Sequence, residues 1–171
     1  IRLPETVRSV GREAFADAAD LRAIDLANVC EVGKDAFRGT AFENKYVELW
    51  KSGEFSGVIY TGKVAYKYMS SDSGSKLMSK GTKLILENST TGVSESLFDN
   101  SYIDMDSCRS NLRSVYIPAD TSFIPSGIFR GFKGSGSGVG IYGISESYAS
   151  DYAAEQDISF TALNKKDSYA Q

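Results

Sequence analysis

The feature that most constrains this chain is a recurring skeleton near its start. Leu3, Pro4, Val7, Val10, Gly11, Ala14 and Phe15 set it out, and Val29, Val32, Gly33, Ala36 and Phe37 repeat its second half at a displacement of 22 residues. Looser echoes run through Val93, Leu97 and Phe98, and through Ile124, Ile128 and Phe129. Self-similarity with a period in the low twenties points to a stacked solenoid. One such unit cannot bury its own apolar face, so neighbouring copies must cover it, with Phe15 expected above Phe37. Burial of each ring should contribute roughly 1.5–3 kcal/mol.

Units are expected at about residues 1–20, 21–39, 82–99 and 112–131 of a single domain spanning 1–163. Ile1 and Leu3 read as a short strand that Pro4 ends by withdrawing a donor. Leu21, Ile24 and Leu26 open the second unit, and Leu112, Val115 and Ile117 reproduce their spacing in the fourth. Residues 40–81 break the period. Thr40 and Glu43 have the spacing of a capping box, ahead of a helix that places Phe42, Tyr46 and Leu49 or Trp50 on one face. Two apolar runs around Thr61, Gly62 and Lys63 then predict a hairpin with a three-residue loop. That loop would put Val58, Tyr60, Val64, Tyr66 and Tyr68 on one face. Ser70 to Gly81 reads as a polar loop, Asp99 to Asn111 as an extended linker, and the Gly/Ser run at 134–138 as a flexible connection. Residues 139–163 are expected to cap the solenoid with a strand, a helix N-capped by Ser145 and a last strand at Ile158 and Phe160. Residues 164–171 are read as a tail.

The skeleton of Leu3 to Phe15, followed by Leu21 and Ile24, resembles the BspA-like leucine-rich repeats of bacterial cell-surface proteins. The likeness is close over 1–37 and partial over 84–131, and that family also carries helix-plus-hairpin inserts similar to Gly57 through Tyr68. The fold expected is therefore an α+β repeat solenoid, a leucine-rich-repeat-like right-handed stack with an inserted helix and β-hairpin and a C-terminal cap. The resemblance implies an exported protein, extracellular or on the cell surface. It further implies a non-enzymatic binding or adhesion domain whose partners are proteins or glycans on host or neighbouring cells. A structural spacer or accessory domain of a larger secreted protein is the alternative. Ile1 falls inside a unit, so the chain is read as a piece of a longer precursor.

Composition bears on which chemistries are open. The chain has no His, which removes Ser-His-Asp and Cys-His arrangements and every His-containing metal site. Asp104 and Asp106 resemble the start of a calcium loop, but the glycine at its sixth position and the closing Glu are missing. Gly134, Gly136 and Gly138 are followed by a strand rather than a helix, unlike a dinucleotide loop. No catalytic residue, no metal site and no cofactor is expected. The net charge is −3, with no run of basic residues longer than two, which disfavours nucleic acid as a partner. No apolar stretch approaches the roughly 20 residues a membrane-spanning helix needs. Cys30 and Cys108 are placed two units apart, beyond disulfide reach at about 4.8 Å per strand step, so both are expected as free thiols.

Candidate contact residues come from the interruption, where Trp50, Tyr60, Tyr66 and Tyr68 are typical interface anchors. The same rings could instead pack the helix against the hairpin. Exposed strand positions (Arg2, Arg22, Asp25, Lys83 and Tyr116) could contribute along an extended face.

Overall fold

The computed structural model describes residues 1–70, 76–132 and 138–164. Its elements, in chain order, are β1 (Ser9–Val10), β2 (Glu31–Val32), α1 (Ala41–Lys51), β3 (Gly57–Thr61), β4 (Val64–Met69), β5 (Thr82–Ile85), β6 (Gly92–Val93), α2 (Met105–Asn111), β7 (Leu112–Tyr116), β8 (Gly140–Gly143), α3 (Tyr148–Glu155) and β9 (Ser159–Ala162). The strands form a parallel pair β1-β2, a mixed sheet β3-β4-β6 and a parallel sheet β5-β7-β8-β9.

Among the described residues this is an α/β fold of three sheets and three short helices, and it corrects the expected single repeat stack. The two best-matched copies do meet: Ser9 pairs with Glu31 and Val10 with Val32, and the Phe15 and Phe37 rings stack 5.5 Å apart. Beyond Val10 and Val32 the copies stay joined only by single backbone hydrogen bonds, from the Glu13, Phe15 and Asp17 N–H groups to the Lys34, Ala36 and Arg38 carbonyls, with no further strand. The strands expected around Ile1 to Leu3 and Leu21 to Leu26 reduce to one bridge between Arg2 and Asp25. The insert comes directly after the second copy, and its β4 pairs antiparallel with β3 and parallel with β6. The opening strands of the later units, β5 and β7, form a separate sheet with β8 and β9.

The hairpin corrects a second expectation. Thr61 pairs with Val64, so the loop is the two residues Gly62 and Lys63. Gly62 takes a φ of 60° at the first loop position, where a type II′ turn calls for glycine. Register then slips between Ile59 and Tyr60, leaving Tyr66 as the extra residue of a bulge. The bulge divides the strand between two cores. Val64, Tyr66 and Met69 join Val10, Leu26, Val32, Phe37 and Trp50, while Ala65 and Tyr68 join Leu84, Val93, Phe98, Leu112, Phe129 and Ile141. All six residues of β4 are buried, which makes this strand the wall between the cores.

Two helix starts also differ from expectation. The region from Asp99 to Asn111 is not an extended linker, because Asp104 accepts a hydrogen bond from the Ser107 N–H and caps α2. Ser147, not Ser145, caps α3, and it exchanges hydrogen bonds with Ser150 in a capping box. Cys30 and Cys108 are free thiols. The polar loop beyond Ser70 is described only from residue 76 onward. The glycine run at 134–137 and the tail from 165 lie outside the described residues.

Candidate functional site

The four aromatic residues singled out in the insert are packing residues first. Trp50 is 6% exposed and donates from Nε1 to the Ser70 carbonyl at 3.0 Å. Tyr66 is fully buried, and Tyr68 packs against Phe98. Tyr60 alone is half-buried, and its hydroxyl accepts from the Glu87 N–H at 2.8 Å. Three of the four rings thus face the cores that meet at β4. Among the strand positions, Arg2 lies 3.5 Å from Asp25, and the half-buried Tyr116 stacks on Tyr142. Arg22 and Lys83 are exposed.

Around these rings lies a buried charge cluster that reading the sequence missed. Lys67 of β4 is buried, and its Nζ contacts Glu43 Oε1 at 2.9 Å and Asp35 Oδ1 at 3.0 Å. Its ammonium also faces two rings, 5.2 Å from the Tyr66 centroid and 5.7 Å from that of Tyr102. The Tyr66 hydroxyl accepts from the Phe37 N–H at 3.0 Å and donates to Glu43 Oε2 at 3.4 Å. Tyr102 donates to Glu43 Oε1 at 3.3 Å. Burial, and then the Glu43 charge, pushes the Tyr66 phenol well up and that of Tyr102 up to about 12, so both stay donors at neutral pH. Only half of the capping box forms. Thr40 accepts from the Glu43 N–H, but the Glu43 carboxylate turns away to Lys67.

A sequence signal for this cluster did exist. Lys67 sits inside the apolar run from Val64 to Met69, and a buried ammonium requires a buried partner. The matching acid is Glu43, whose place three residues after Thr40 suggested a different role.

An open cleft lies elsewhere, between the turns after β2 and β6 and the start of α2. Its volume is about 780 Å³, and its apolar lining includes Phe98, Phe123, Pro125, Ile128 and Phe132. Arg12, Lys34, Arg109 and Arg130 stand around it against only Glu95 and Asp99. Lys34 is held by Asp99, and its N–H donates to Glu95. Arg109 lies 3.6 Å from Asp106, a loose pair on the surface. Arg12 and Arg130 have no carboxylate partner among the described residues. Arg130 is shared with two smaller clefts of about 460 and 450 Å³, which continue the concavity toward α3 and along α2.

This cleft combines exposed guanidinium groups with an apolar floor. That pairing suits a ligand carrying both carboxylates and apolar groups, since guanidinium forks bind carboxylates in two-point fashion. Among the described residues no three His, Cys, Asp or Glu side chains are placed to hold a metal ion. Comparison with family models, curated proteins and solved structures finds no match for this chain.

Proposed function

We propose that this chain is a non-enzymatic binding domain whose contact surface is the arginine-rimmed cleft, and that its partner is an acidic, partly apolar polypeptide segment. One observation carries the reading: Arg12, Arg109 and Arg130 stand around an apolar floor large enough to bury several side chains. A peptide supplies carboxylates and apolar side chains at short intervals, which matches this alternation better than a uniformly hydrated polymer does. The resemblance of residues 1–37 to BspA-like surface proteins supports a binding role outside the cell.

The test is direct titration with a fluorescent synthetic peptide of alternating Glu and Leu, beside heparin and a neutral peptide of equal length. Binding to the acidic peptide should weaken with added salt, because exposed charges are screened beyond about 8 Å at physiological ionic strength. A variant with Arg12→Ala, Arg109→Ala and Arg130→Ala should lose at least tenfold in affinity, on the order of 1.4 kcal/mol. Equal binding by that variant would move the surface away from the cleft. Binding to heparin alone would replace the peptide by a sulfated glycan.

A further inference from the structure

The Lys67 cluster carries a second inference, independent of the cleft and of any partner. We propose that Lys67 and Asp35 condense spontaneously into an intramolecular isopeptide bond, with Glu43 as the proton-transferring residue. Nucleophile, electrophile and base are already in place: Nζ is 3.0 Å from Asp35 Oδ1 and 2.9 Å from Glu43 Oε1. Intramolecular placement of this kind replaces a bimolecular encounter and raises the effective concentration of the amine.

Burial supplies the driving force. In water an ammonium and a carboxylate are far better solvated than an amide, so the ions persist. Here the Lys67 and Glu43 side chains are only 3% and 1% exposed, and one cation faces two carboxylates. Desolvation penalises these ions and favours a neutral amide. Condensation removes one charge of each sign and leaves Glu43 held by the Tyr66 and Tyr102 hydroxyls.

Condensation needs no outside reagent. A proton passes from Lys67 Nζ to Asp35 Oδ1, giving an amine and a carboxylic acid. The amine lone pair then attacks Asp35 Cγ, forming the C–N bond, while Glu43 Oε1 takes a second proton from nitrogen. Glu43 returns that proton to the Asp35 hydroxyl, the C–O bond breaks and water departs. Nitrogen keeps one hydrogen, and Glu43 ends as it began.

Asp35 is the acceptor rather than Glu43 for two reasons. Its side chain is 24% exposed, which opens a route for the departing water, whereas Glu43 is enclosed. Asp35 is also fixed from behind: its N–H donates to Ser96 Oγ at 2.8 Å, and its backbone sits in the left-handed region at φ 54°.

The test is intact-protein mass spectrometry of the purified chain after incubation at neutral pH. The expected mass is lower than the sequence mass by one water, and digestion should yield one branched peptide joining Lys67 to Asp35. Glu43→Gln keeps one acceptor oxygen and the size of the side chain, turning the other oxygen into an amide donor, but cannot take the proton, so its mass should be that of its sequence. Asp35→Asn should lose ammonia instead of water, and since a succinimide at position 35 would lose the same mass, the branched peptide joining Lys67 to position 35 must appear in this variant too. Should Glu43→Gln fail to fold, the wild-type mass still decides. A folded wild-type chain at full mass, or a water loss without the branched peptide, would overturn the proposal and leave a buried ion pair only.

Discussion

Phe37 shows how one side chain can hold the N-terminal core together. It is completely buried, stacks on Phe15 and meets Phe42 and Tyr66 edge-on. Phe37→Ala should cost about 3–5 kcal/mol, since these rings cannot all move into the space it leaves; urea denaturation would measure it, and a cost below about 1 kcal/mol would show that the core collapses freely. Tyr66 raises a different question, because its hydroxyl serves the Phe37 N–H and Glu43 together. Tyr66→Phe keeps the ring but strands that buried N–H, at a cost of about 1–3 kcal/mol. The thiols divide on accessibility. Cys108 is buried, and burial, with the Asp104 charge, pushes it up to about 12. Cys30 is half-buried, with its sulfur 3.7 Å from the Arg8 carbonyl. A thiol reagent at mildly alkaline pH should therefore label Cys30 alone in the folded chain and both cysteines in denaturant; labelling of Cys108 without unfolding would contradict its place in the core.

At the scale of elements, termini and turns carry much of the specification. Helix α3 spans eight residues and begins with a reciprocal capping box between Ser147 and Ser150. Ser147→Ala should lower stability by about 0.5–2 kcal/mol, visible as a lower melting temperature with the far-ultraviolet spectrum little changed. An unchanged melting temperature would mean that Tyr152, anchored by its hydroxyl to the Pro125 carbonyl, holds the helix without its cap. Close approach decides another junction. A Cβ on Gly92 would lie 1.7 Å from the Cys30 carbonyl oxygen, so β6 can pass β2 only with glycine there. The skeleton repeated at 22 residues made the stacking of Phe15 on Phe37 legible in the sequence, but the strands that pair there, at Ser9–Val10 and Glu31–Val32, were not the ones that alternation pointed to. The bulge at Tyr66 was not legible, because nothing local distinguishes a two-residue from a three-residue loop around Gly62. That single slip sends Tyr66 and Tyr68 to different cores, and it explains why a face drawn from simple alternation does not exist.

At the scale of the whole molecule, two apolar cores share the wall made by β4, and acid groups buried along both of them couple folding to pH. Each such group was visible in the sequence only as an aromatic or a thiol; its burial comes from contacts between residues far apart in the chain, such as Tyr102 with Glu43 and Tyr152 with Pro125. Burial raises Cys108 from 9.0, and Tyr102 and Tyr152 from 10.0, each to about 12, while Tyr66 rises further and Tyr60 rises too. All five shifts have the same sign. In the unfolded chain these groups lose their protons first, so from about pH 9 upward the unfolded state binds fewer protons than the folded one and gains stability. Their contribution to folding is therefore fully present below the unfolded values and is lost as pH climbs through the folded ones. A melting temperature followed by circular dichroism should stay nearly level from neutral pH to about pH 9 and then fall steadily toward pH 12. Tyr152→Phe removes one of these groups while keeping its ring against Phe129, so its curve should start lower and fall less steeply than the wild type. A wild-type melting temperature that holds level beyond pH 11 would mean the buried phenols and thiol exchange protons with solvent as readily as free ones, and the two-core packing around β4 would have to be looser than the structure places it.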